Sequence, residues 1–151
     1  MNEKRIVRSS VFPAGRDFVF EHLQKLDVLQ MVAAPLASFV PLDSDQPAEW
    51  VAGQIYAFRL RIFPLLPFGI HHIQILSISK EGIHSSEHNR FIRHWEHWVH
   101  LEEIDSASCR YTDVVRISAG WKTPLIALWA KLFYAHRQRR WRKWLRRLQQ
   151  F

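Results

Sequence analysis

A change of period divides this chain into two parts. Between Gly53 and Ser118 apolar and polar residues alternate, and five strands with short breaks fit the stretch. They run from about Gln54 to Phe63, Ile70 to Ser79, Ile83 to Asn89, Ile92 to Ile104 and Ser108 to Ser118. Period-two alternation places successive side chains on opposite faces, and consecutive hairpins give an antiparallel sheet. Then the pattern turns helical. Thr123 is a good N-cap, Pro124 suits a first helical residue, and nothing after them breaks the helix before Gln150. A helix of that length spans about 40 Å at a rise of about 1.5 Å per residue. It needs a platform, and the sheet is the one available, so the fold class is α+β.

The first third fills in the rest. Arg5 to Phe12 reads as a strand stopped by Pro13 and Gly15. Asp17 to Leu26 and Val28 to Ala34 read as short helices, the second ending before Pro35. Leu36 to Leu42 is a further strand, followed by a polar loop. No linker long enough to separate domains occurs, so one domain over 1–151 is expected. In the strand from Gln54, Tyr56, Phe58, Leu60 and Ile62 share one face, with Ala57, Arg59 and Arg61 on the other. A turn in PLLPFG that pairs Ile62 with His71 would put His71, Ile73 and Ile75 inside, with His72 and Gln74 outside.

Composition excludes several classes. The 151 residues are 48% hydrophobic, with 10 Phe and 7 Trp, enough for a core without a metal or disulfide staple. A lone cysteine, Cys109, forms no internal disulfide. No apolar leader follows the charges of MNEKRIVR, so a reducing, cytoplasmic compartment is expected. No apolar run reaches the length of a membrane-spanning helix. A Gly-rich phosphate loop, a G-x-S-x-G elbow and a supported Cys–His pair are all missing. An acid–base pocket is the enzymatic option that remains.

His94, His97 and His100 form the tightest histidine cluster. On a strand His94 and His100 point one way and His97 the other, so no metal site is expected there. His97 is better matched with Asp113. A hairpin turning near Ser106 and pairing Val99 with Asp113 sets His97 opposite Val115 and diagonal to Asp113. The pair then serves as a satisfied buried contact, as an anchor for a ligand's polar atoms, or as an acid–base couple.

On the long helix Trp129, Phe133, His136 and Arg140 fall on one stripe, with Leu125 and Leu132 beside it. Polar groups that continue an aromatic stripe are costly in a filled core and useful beside a cavity, so His136 is expected to reach a pocket. Beyond them Arg137, Arg139, Arg140, Arg142, Lys143, Arg146 and Arg147 gather basic charge, while the other 14 Lys and Arg balance 14 Asp and Glu. This stretch reads either as a solvated helix end or as a surface for an anionic membrane or acidic partner. Trp141 and Trp144, interleaved with arginines, suit a membrane surface, a homodimer partner or a wrap around the sheet edge. No nucleic-acid motif accompanies the charge.

The residues also resemble a family. Phe91-Ile-Arg-His-Trp95-Glu-His97, Asp113 in TDVVRI, Asp17-Phe-Val-Phe20 with Leu23, and Phe133 with His136 and Arg137 resemble the START-like (SRPBCC) superfamily, over essentially the full length. Val99 and Asn89-Arg90 depart from its pattern, which commonly has a second inward His and a Gly-Pro at these places. The resemblance implies a helix-grip fold: a curved antiparallel sheet around a long C-terminal helix, with two short helices after the first strand. It implies an apolar cavity for a lipid, polyketide, hormone or aromatic compound, and no cofactor. The walls would be Tyr56, Phe58, Ile73, Trp95, Trp129 and Phe133, with His97, Asp113, His136 and Arg140 meeting polar atoms. A minority of relatives are cyclases or dehydratases, which would use His97 and Asp113.

Overall fold

The computed structural model describes residues 3–43, 45–62 and 66–149. The expected strand end at Phe63, the first two residues of PLLPFG and the helix end at Gln150 lie outside them. In chain order the elements are β1 (Glu3–Phe12), α1 (Arg16–Leu23), α2 (Leu26–Ala33), β2 (Ala37–Pro41), β3 (Ile55–Ile62) and β4 (Leu66–Ser79). β5 (Gly82–His88), β6 (His94–Asp105), β7 (Ser108–Ser118), a 3-10 turn (Gly120–Lys122) and α3 (Thr123–Leu148) follow. The seven strands form one antiparallel sheet in the order β1-β7-β6-β5-β4-β3-β2. With α3 laid over its inner face and two short helices after the first strand, this is the helix-grip fold.

Alternation builds the inner face as its period requires. Tyr56, Phe58 and Leu60 on β3, Ile73 and Ile75 on β4, Trp95, Val99 and Leu101 on β6, and Tyr111, Val115 and Ile117 on β7 are all buried. The β6–β7 hairpin has the expected register, Val99 opposite Asp113 and His97 opposite Val115. The β3–β4 register differs: His71 pairs with Phe58, and Ile62 pairs with Leu66. Strand β4 starts nearer the turn than Ile70, and an irregularity between Arg59 and Arg61 shifts the pairing by one residue. Because the displacement along β3 is an even number of residues, His71, Ile73 and Ile75 keep the inner face.

Other boundaries move for local reasons. α1 stops at Leu23, and the chain around Gln24 is tied to the polar loop by bonds from Trp50 N to Gln24 O and Leu26 N to Ala48 O. Strand β6 begins at His94 because the Asn89 side-chain oxygen Oδ1 accepts from the amides of Phe91 and Ile92 at 2.9 and 3.0 Å, which turns the chain there. Thr123 is already helical and is not the N-cap. Its hydroxyl accepts from Ala119 N and donates to Gly120 O, locking the helix to the turn before it.

The buried seam of α3 is Ala127, Ala130, Phe133, Tyr134, Arg137, Gln138, Trp141 and Leu145. It is rotated from the expected stripe and shares only Phe133 with it. Gln138 fixes the rotation. Its amide donates to Arg8 O and Asp113 Oδ2, each at 2.9 Å, and its oxygen accepts from Ser10 Oγ at 2.7 Å. A buried amide with every such partner in place stitches α3 to β1 and β7. Trp141 is buried against Phe12 and Tyr111, and Trp144 is half-buried against Trp141. Both tryptophans thus pack where β1 ends and β7 begins. Among the described residues no helix is long and apolar enough to cross a membrane.

Candidate functional site

Between the sheet and α3 lies a cavity of about 510 Å³. Leu23, Val28, Leu29 and Val32 from α1 and α2 line one side, and Ile73, Ile75, Ile83, Trp95 and Val99 line the sheet side. Leu125, Leu128, Trp129, Leu132 and Phe133 contribute from α3. Leu125 and Leu132 are 69% and 62% exposed, so the helix carries lining leucines out to a mouth open to solvent. Trp129 stacks on Phe133 with ring centroids 4.7 Å apart, yet both rings still face the space.

Among the described residues the inner wall is polar at one place only. His71, Ser85, Glu87, His97, Tyr134 and Arg137 all reach the cavity. Ile83, Ser85 and Glu87 follow one another on the inner face of β5 by strand alternation. Glu87 Oε1 lies 2.8 Å from His71 Nε2, and its Oε2 accepts from Ser85 Oγ at 3.2 Å. His97 Nε2 lies 2.6 Å from Asp113 Oδ1, and its Nδ1 is 3.9 Å from Glu87 Oε2. Two carboxylates thus face the two nitrogens of one imidazole. Trp95 Nε1 donates to the Tyr134 hydroxyl at 3.0 Å.

Charge is shared across this cluster. Burial on its own would raise the Glu87 carboxyl; the hydrogen bond with His71 and the electrostatic pull of His71, His97 and Arg137 outweigh it and hold the group below its ordinary value. Tyr134 is held well above the ordinary phenol value, chiefly by burial and then by Glu87. Burial opposes the charge on Arg137, but Tyr111, Asp113, Tyr134 and Glu87 outweigh it and keep the guanidinium protonated.

Of the residues expected at a site, Ile73, Trp95, His97, Trp129 and Phe133 line the cavity. Five do not. Tyr56 is buried, but its hydroxyl accepts from Val51 N and donates to Glu49 O, so it braces the loop before β3. Phe58 sits in the core with its ring edge-on to Phe39 and Trp50. Asp113 stands behind His97, held by Gln138. His136 donates to Ala34 O at 2.7 Å, and Arg140 donates to Met31 O at 2.9 Å. The end of α2 offers unpaired carbonyls and the negative end of its dipole, and these draw both side chains away from the cavity.

Arg137 corrects a second expectation. Counted with the basic tail as surface charge, it is only 7% exposed and turned inward. Arg139, Lys143, Arg146 and Arg147 are exposed, while Arg140 is half-buried on α2. Glu87, Arg137 and Tyr134 thus line the cavity without being among the wall residues the sequence points to. For Glu87 a signal was present, since it continues the Ile83, Ser85 alternation. For Arg137 the surrounding basic residues concealed it.

None of the curated proteins has a sequence that matches this one. Solved structures do match in shape. A norcoclaurine synthase point mutant of Thalictrum flavum, in complex with a transition-state analogue, superposes with TM-score 0.69 at 10% identity, over 98% of this chain and 97% of its own. A START superfamily protein of Mycobacterium smegmatis gives 0.73 at 9% identity, over 95% and 98%. A protein of Chromobacterium violaceum gives 0.71 at 10%, over 93% and 96%. At such identities the likeness establishes a START-like fold. Residues 28–145 match the family described as a domain of unknown function, DUF8410, and by this match over most of its length the chain belongs to that family.

Proposed function

We propose that this protein acts as one domain over 1–151 and binds a hydrophobic or aromatic small molecule, without covalent chemistry, in the cavity between the sheet and α3. The observation that carries this reading is the cavity itself: about 510 Å³, walled almost entirely by apolar side chains around one polar cluster. Burying apolar surface supplies affinity at roughly 25 cal/mol per Å², and a few polar groups set orientation. The experiment is a fluorescence titration with the neutral dye N-phenyl-1-naphthylamine. The wild type should bind it saturably, and Val99→Trp, which fills the space from β6, should bind it at least about tenfold more weakly while staying folded. Equal binding by both proteins would refute the reading.

One observation favours a second reading. His97 touches the cavity and is backed by Asp113 at 2.6 Å, the arrangement a proton-transferring imidazole needs. A cyclase- or dehydratase-like activity would lose turnover in His97→Gln and still bind its ligand, whereas a carrier would lose affinity at most.

A further inference from the structure

Arg137 is buried without a hydrogen-bond partner among the described residues. It lines the cavity, its Nε is buried and unpaired, and no described carboxylate oxygen lies within 4.0 Å of its nitrogens. Its guanidinium is held instead over the rings of Phe133 and Tyr134, 5.7 and 5.4 Å from their centroids. The neighbouring Tyr134 hydroxyl accepts from Trp95, but its own proton has no acceptor among the described residues. Two donors therefore face the same space with nothing to donate to, and unpaired buried donors are costly.

The acceptors nearby are already engaged. Glu87 takes His71 and Ser85, and Asp113 takes His97 and Gln138. These two acids also oppose the guanidinium charge, so a ligand carboxylate would bring a third acid to the apolar inner end of the cavity.

We propose that Arg137 and the Tyr134 hydroxyl together receive an uncharged oxygen acceptor, a ketone, aldehyde or ester carbonyl, at one end of an otherwise apolar ligand. This rests on the cavity-binding reading and specifies its ligand class. The rest of the molecule then lies along Trp129 and Phe133 toward the leucine-lined mouth.

Three probes of nearly one shape test it: 2-acetylnaphthalene, 2-ethylnaphthalene and 2-naphthoate, measured by displacement of N-phenyl-1-naphthylamine and by calorimetry. The wild type should bind the ketone about tenfold more tightly than the hydrocarbon, and more tightly than the carboxylate. Arg137→Met should erase that preference and keep the hydrocarbon affinity. Tyr134→Phe, a smaller change, should reduce it severalfold and keeps the test alive if Arg137→Met does not fold. The proposal is overturned if the carboxylate binds best, or if the ketone preference survives in both variants. Failure of the folded wild type to bind the dye and all three probes would instead remove the cavity-binding reading underneath.

Discussion

The Asn89 side chain sets which nitrogen of His71 carries the proton. Asn89 Oδ1 accepts from the amides of Phe91 and Ile92, so its Nδ2 is the donor that meets His71 Nδ1 at 3.0 Å. Nδ1 is therefore the acceptor, and Nε2–H donates to Glu87. A loop residue thus aims a ring at the cavity wall by way of its tautomer.

The first prediction follows from that contact. Nitrogen-15 spectra should show the His71 proton on Nε2 in the wild type. Asn89→Ala removes the cap on the turn and the fixed partner of the ring, and should lower stability by about 1–3 kcal/mol. Denaturant midpoints measure the second effect. An unchanged midpoint would mean the turn holds itself without the amide.

Glu87 should make acid the weak side of this protein. Its carboxyl is held below the ordinary value of 4.5, so its contribution is present above that pH and is lost as pH falls through the folded-state value. Glu87→Gln leaves Arg137 and His71 facing a neutral amide and should cost about 3 kcal/mol at pH 7. The difference from wild type should narrow as pH falls below 4.5 and through the folded-state value, where the native carboxyl also becomes neutral. Thermal melts of both proteins across that range decide it, and a constant gap at every pH would contradict the assigned role.

Periodicity made most of the scaffold readable and left the site half hidden. The strand faces, the Val99–Asp113 register and the His97–Asp113 contact follow from alternation and hairpin pairing, which are local rules. The rotation of α3 does not. A helix with leucines, alanines and arginines all round can present several faces, and Gln138 bonding to Asp113 and Arg8 selects one. That choice draws Arg137 inside and leaves Leu125, Leu128 and Leu132 at the mouth. His136 and Arg140 turn from the cavity because the carbonyls that capture them, of Ala34 and Met31, lie at the end of α2, distant in sequence.

Tyr111 offers a test with the opposite sign. Its ring stacks on Phe12 with centroids 4.5 Å apart, while its hydroxyl is buried and unpaired among the described residues. Burial, followed by the Asp113 charge, drives its ionisation far above the ordinary phenol value, so the hydroxyl stays neutral and gains nothing from the protein. Tyr111→Phe keeps the stacking and removes an orphaned group. The variant should be as stable as the wild type or more stable by about 1 kcal/mol, whereas a loss of that size would reveal a partner for the hydroxyl.

Cys109 should be chemically silent. It is fully buried on β7, and burial pushes its thiol up to about 11, against a small opposing effect from Arg16. At pH 8 the thiolate fraction is then about 100-fold below that of an exposed cysteine, and reagent must also reach it through the core. Native protein should react with a thiol reagent such as Ellman's only at the rate of unfolding, and at once in denaturant. Because folding favours the protonated form, the thiol's contribution is intact below about pH 9 and is lost as pH rises toward 11, so labelling should accelerate across that interval. Rapid labelling at pH 8 under native conditions would mean that the end of the sheet covered by Trp141 opens far more readily than its packing implies.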